Sequence, residues 1–180
     1  MSALSDYLDY HLKIIFVIYN PGEKAFALGH HYAGRGNQFW RLLYDSKLTP
    51  RLYKPDEDSK LVHLGYGLTN IVARPSRSSS DLMKRELQAG AEFLREKIRR
   101  YKPQLVCLLG KEVYRHYADL NSSTSFGFGT ATTTTVPGVK EFTAPNPSAR
   151  STIPYKVKLA YFLQIKTAIS VTFTGDIDIE

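Results

Sequence analysis

Ile14-Ile15-Phe16-Val17-Ile18 is an unbroken apolar run, mostly β-branched, and the trio Asn20-Pro21-Gly22 stands just behind it. Five such residues bounded by turn formers predict a short strand buried on both faces. Leu105-Val106-Cys107-Leu108-Leu109 repeats the pattern and runs into Gly110-Lys111. A third short run, Lys140 to Ala144, ends in Pro145-Asn146-Pro147. Elsewhere the period changes. Asn37 to Tyr44 has apolar residues at helical spacing, with Asn37 as its N-cap. Leu87, Ala91, Leu94, Ile98 and Tyr101 recur in steps of four and three. They predict a helix behind the capping side chains of Ser78-Ser79-Ser80-Asp81, closed by Pro103. Residues 111–118 and 155–168 predict two more helices. Residues 45–60, polar and holding Pro50 and Pro55, read as a surface connection, and 121–135, rich in Ser, Thr and Gly, as a hairpin or loop.

Apolar strands alternating with helices predict a three-layer α/β/α domain with a mainly parallel central sheet. Residues 1–170 are read as that single domain and 171–180 as a C-terminal tail. Ligands of such sheets bind beyond the carboxyl ends of the strands. Each predicted strand ends there in an unusual polar group: Asn20-Pro21-Gly22, Gly110-Lys111 or Asn146-Pro147-Ser148. That convergence marks the expected site.

Composition narrows the picture. A chain of 180 residues with 43% hydrophobic content supports one core. Lys and Arg outnumber Asp and Glu by 24 to 17, a net +7, which suits a polyanionic partner without requiring one. No apolar run is long enough to span a bilayer, and Met1 to Asp6 lacks the pattern of a secretory signal, so a soluble intracellular protein is expected. The single cysteine, Cys107, rules out a disulfide framework and a multi-cysteine zinc site. Inside an apolar run it reads as a small core residue.

Five segments carry candidate chemistry. Asn20, at a strand tip stiffened by proline, is either an ordinary turn residue or a fixed amide that accepts from water and donates to a substrate. Gly29-His30-His31-Tyr32 opens a glycine-rich loop. Adjacent histidines point different ways and nothing completes a coordination sphere, so neither a metal nor any other cofactor is expected. Tyr32 can instead offer a flat face to a base. Asn70 caps a turn or reads a base edge. Gly110-Lys111 suits a phosphate but lacks P-loop spacing. Pro145 to Arg150 is a stiff loop that enters a groove or simply lies on the surface.

In order along the chain, these segments resemble the mismatch-specific uracil-DNA and thymine-DNA glycosylases, a branch of the uracil-DNA glycosylase superfamily. Asn20-Pro21-Gly22 is similar to the family's Gly-Ile-Asn-Pro-Gly. Gly29-His30-His31-Tyr32 and Gly36-Asn37-Gln38-Phe39-Trp40 resemble Gly-His-His-Tyr and Gly-Asn-His-Phe-Trp of the thymine-specific members. Leu68-Thr69-Asn70-Ile71-Val72, Gly110-Lys111 and Pro145-Asn146-Pro147-Ser148 fall at matching intervals. The resemblance implies a monomeric, metal-free enzyme acting on double-stranded DNA with G·U or G·T mispairs. It would leave an abasic site, working in the nucleus if the source is eukaryotic and in the cytoplasm otherwise. It implies Asn20 as the residue placing the attacking water, with Ser76 assisting. Ile18, Tyr19, His31, Tyr32 and Asn70 would surround the flipped base. Gly110, Lys111, Asn146, Pro147, Ser148, Ala149 and Arg150 would hold DNA. Where the family has Gly-Ile before the Asn, this chain has Ile18-Tyr19, and its 145–150 loop is about two residues shorter. Two other readings stand beside this one: a non-catalytic reader of mismatched or damaged DNA on the same fold, and an α/β domain acting on small nucleosides.

Overall fold

The computed structural model describes residues 3–170; the predicted tail at 171–180 lies outside them. Five strands form one sheet: Ile14–Ile18 (β1), Tyr66–Asn70 (β2), Leu105–Leu109 (β3), Gly129–Thr130 (β4) and Lys140–Ala144 (β5). Their order is β2-β1-β3-β5-β4. All pairings are parallel except that of β4 with β5. Side chains alternate across a strand, so β1 sends Ile14 and Phe16 into one layer and Ile15 and Val17 into the other. The first layer is closed by helices Phe39–Asp45 (α2) and Tyr155–Ser170 (α5), and the second by Lys84–Tyr101 (α3) and Lys111–Tyr117 (α4). A fifth helix, Glu23–Leu28 (α1), follows β1 directly. The three-layer α/β/α reading and its mainly parallel sheet hold. Cys107 is fully buried in the first layer, where desolvation pushes its thiol well above its ordinary range.

Two glycines let elements meet closely. At Gly90 in α3, a Cβ would collide with the carbonyl of Ile71, so the helix can cross the end of β2 only without a side chain there. At Gly67 a Cβ would stand 2.8 Å from Leu12 and 2.9 Å from the carbonyl of Tyr7. Tyr7 and Leu68 bridge at that point through Tyr7 N–H to Leu68 O (3.0 Å) and the reciprocal bond (2.8 Å). The segment before β1 is thereby strapped across β2.

Three sequence expectations shift. Residues 45–60 are more than a surface connection: Pro55–Leu64 is a 3-10 helix, and Leu48, Asp58 and Leu61 are buried. Pro55 suits the first helical position, and the Glu57 carboxylate accepts from the Lys54 amide at 3.0 Å. Ser78 caps a separate 3-10 turn, Ser79–Asp81, while α3 starts later, where Glu86 accepts from the Met83 amide at 2.8 Å. Asn37 does accept from Phe39 N–H at 2.9 Å, but α2 begins only at Phe39.

Candidate functional site

The chain runs from β1 to β2 on one side and then returns to place β3 on the other, so the sheet changes direction at β1. Connections leave such a switch point in opposite directions and open a crevice beyond the strand ends. A cleft of about 980 Å³ lies there. Ile18 to Gly22 floor it, the loop after α1 and the 76–79 segment make its walls, and 146–153 closes the top.

Asn20 sits on the floor. Its Nδ2 donates to the Arg74 carbonyl at 3.1 Å and to Ser76 Oγ at 2.8 Å. A backbone carbonyl only accepts, so the first bond settles which end of the amide is nitrogen. Both N–H groups are engaged, and the oxygen is left to accept. Ser76 Oγ in turn donates a hydrogen bond to the Ser78 carbonyl at 2.7 Å, and a Gly22–Ser76 bridge joins the two segments. Arg74 is held in turn by Glu86, through Nε at 2.6 Å and a second nitrogen at 2.9 Å. A forked pair of this kind fixes the direction of the 74–76 segment.

The opposite wall depends on one buried carboxylate. Asp58, 1% exposed, accepts from the His31 amide at 2.8 Å and lies 3.3 Å from His30 Nδ1. His31 itself is fully buried, with Nε2 at 2.7 Å from the Ser5 carbonyl. That carbonyl needs a donor, so Nε2 carries the proton, and desolvation lowers the pKa of the ring, favouring the neutral form. The clamp fixes Tyr32, which follows in the left-handed region (φ 56°). Its ring stacks on Phe39 with centroids 3.7 Å apart and planes 21° apart. One ring face is therefore covered, and Tyr32 lines the cleft while only 4% exposed. Burial pushes its hydroxyl well above the ordinary phenol range, and the oxygen has no hydrogen-bond partner among the described residues.

Above the cleft, Pro147 O accepts from Gln38 N–H (2.9 Å) and Asn146 Oδ1 from Ser148 N–H (2.8 Å). Gly36, at φ 73°, comes so close to Ala149 that an added Cβ would stand 3.1 Å from it. Arg150 reaches across to the Arg77 carbonyl at 2.7 Å. Among the described residues, Lys24, Arg35, Arg77 and Arg150 line the cleft against one carboxylate, Glu23, which pairs with Arg77 at 3.4 Å. The balance favours an anionic ligand.

Most of the expected site residues meet here: Ile18, Tyr19, Asn20, His31, Tyr32, Ser76 and 146–150 all line the cleft. Tyr19 turns its ring edge-on to His116 (5.5 Å) and packs on the second layer, so its bulk is partly drawn out of the floor. Burial raises its hydroxyl to about 12, keeping it neutral. Three expected residues fall outside the lining. Asn70 is 5% exposed and paired in register with Ile18, one strand over; its Oδ1 has no hydrogen-bond partner among the described residues. Gly110 lies behind the loop, where an added Cβ would stand 3.9 Å from Asn146, because β3 lies one strand further along. Lys111 places its ammonium over the ring of Phe128 at 5.0 Å, drawn there by a cation–π contact. Sequence reasoning missed Glu23, Asp58 and Leu4, the last of these a buried residue lining the cleft. For Asp58 the available signal was an acid beside apolar Leu61 in a segment opened by proline.

Two comparisons bear on this arrangement. The family model described as "Uracil DNA glycosylase superfamily" matches residues 5–169. A solution NMR structure of a candidate uracil DNA glycosylase from Methanosarcina acetivorans is similar in fold, with a TM-score of 0.62 and 17% identity. That match covers 92% of this chain and 96% of the other.

Proposed function

The chain belongs to the uracil DNA glycosylase superfamily, whose chemistry is hydrolysis of the base–sugar bond in DNA, and on that premise we propose that it excises uracil or thymine mispaired with guanine from duplex DNA. The target nucleotide rotates out of the stack, at a cost of a few kcal/mol that is smallest at a mispair. The observation that carries this reading is the Asn20 amide, whose nitrogen is committed to Arg74 and Ser76. Its oxygen is left to hold a water at the point where β1 enters the cleft.

Bond cleavage proceeds toward an oxocarbenium-like sugar, and negative charge develops on the departing pyrimidine. Asn70 Oδ1, buried beyond the cleft lining and without a partner among the described residues, is suited to accept the N3–H of a uracil or thymine once the flipped base has entered past that lining. Tyr32, at the cleft wall, supplies the ring against which the base packs. The neutral Asn20 cannot take a proton from the water, forgoing part of the roughly 10²–10⁴-fold a general base supplies. Slow turnover is expected. Ser148 and Arg150 serve the DNA backbone and the vacated stack, and no metal takes part in this scheme.

A panel of duplexes differing only at one pair tests the reading. Purified protein should leave alkali-labile sites at G·U and G·T, in chelator, while sparing the matched A·T pair. Tight binding to G·U with no base released over long incubation would favour instead the mismatch reader.

A further inference from the structure

Lys158 is the odd residue of α5. It is 1% exposed and ranks among the largest fully buried side chains. Its Nζ donates to Gln38 Oε1 at 2.8 Å and to the Ser148 carbonyl at 3.3 Å, both neutral acceptors. Among the described residues no carboxylate forms an ion pair with it. A buried ammonium served only by neutral dipoles is costly, and an apolar side chain of similar volume is commonly as stable or more so. Desolvation lowers its pKa, the sign of a cation held without its counter-charge.

Its two acceptors show where that counter-charge arrives. Gln38 also holds the loop through its own N–H on Pro147 O (2.9 Å), and Ser148 stands on the cleft with its hydroxyl accepting from Arg150 N–H (3.2 Å). The ammonium therefore lies directly beneath the loop that closes the top of the cleft. We propose that Lys158 is a positioning residue for DNA: its charge is balanced when a backbone phosphate docks on the Pro147–Ser148 loop, and it acts on that phosphate through the loop. The proposal rests on the duplex-DNA reading above.

The test measures affinity for a G·U duplex against salt for the wild-type protein, Lys158→Met and Lys158→Gln. Each phosphate charge neutralised steepens the dependence of log affinity on log salt by about 0.9. Both variants should bind more weakly at low salt, with slopes shallower by about that amount, so the affinity gap narrows about threefold between 50 and 200 mM salt. Lys158→Met should also melt no lower than wild type, since it removes a buried unpaired charge. A purely structural lysine gives the opposite pattern: lower melting temperature and an unchanged slope. That pattern, wild-type slopes in both variants, or failure of both to fold would overturn the proposal. If the wild-type protein ignores duplex DNA altogether, it is the reading of function that fails.

Discussion

At the scale of single residues, the cleft works by committing polar atoms. The Asn20 amide is oriented because Arg74 O and Ser76 Oγ consume its donors. Tyr32 is oriented because Asp58 grips the residue before it. Asp58→Asn keeps the shape but turns an acceptor-only group into one that presents an NH2, against an amide and an imidazole already directed at it. Disrupting such a buried carboxylate should cost about 1–3 kcal/mol. Urea denaturation should show that loss, and excision should slow because Tyr32 loses its anchor; unchanged stability would mean that the clamp is not formed. These contacts also explain what the sequence could reveal. Asn20, Tyr32 and 146–150 sit in local motifs, each with a turn chemistry of its own. Asp58 and Lys158 gain their meaning from partners 27 and 120 positions away, and no local pattern carries that.

At the scale of elements, α3 is the best-read piece of the chain, because its apolar face repeats over many turns. What periodicity could not give was its start, since Ser78 to Asp81 cap a turn of their own. The helix crosses β2 only because Gly90 lacks a side chain above the Ile71 carbonyl. Gly90→Ala should lower stability by about 1–3 kcal/mol or more, against the gain normally expected of Gly→Ala within a helix. Equal or higher stability in chemical denaturation would contradict that packing. Glu86, near the start of α3, ties the helix to the site. Arg74 first, then the Met83 amide, hold its carboxyl down from 4.5 to about 2. A folded-state pKa below the unfolded one contributes stability that is fully present above the ordinary carboxylate value and lost as pH falls toward about 2. Glu86→Gln should flatten that acid arm in melting curves taken across the window and leave the profile near neutrality level; an identical acid arm would remove the pair from the account.

At the scale of the whole molecule, the sheet's change of direction at β1 sets everything else in place. Apolar runs followed by polar tripeptides were enough to place the cleft at the strand ends, since burial on both faces is written into composition. Strand order was not legible, because adjacency is decided by packing between segments far apart, and so the outward placing of Lys111 went unseen. Among the described residues, four cations and one acid line the resulting cleft. That acid, Glu23, gives the most direct check on the central claim, because a carboxylate within the cleft is the natural rival to a neutral amide as the group that handles water. Single-turnover release of uracil from a G·U duplex should be measured at saturating enzyme for wild type, Asn20→Ala and Glu23→Gln. The account predicts that Asn20→Ala binds the duplex but releases uracil at least about 100-fold more slowly, while Glu23→Gln stays within a few-fold of wild type. Undiminished release by Asn20→Ala, or its loss in Glu23→Gln alone, would contradict it.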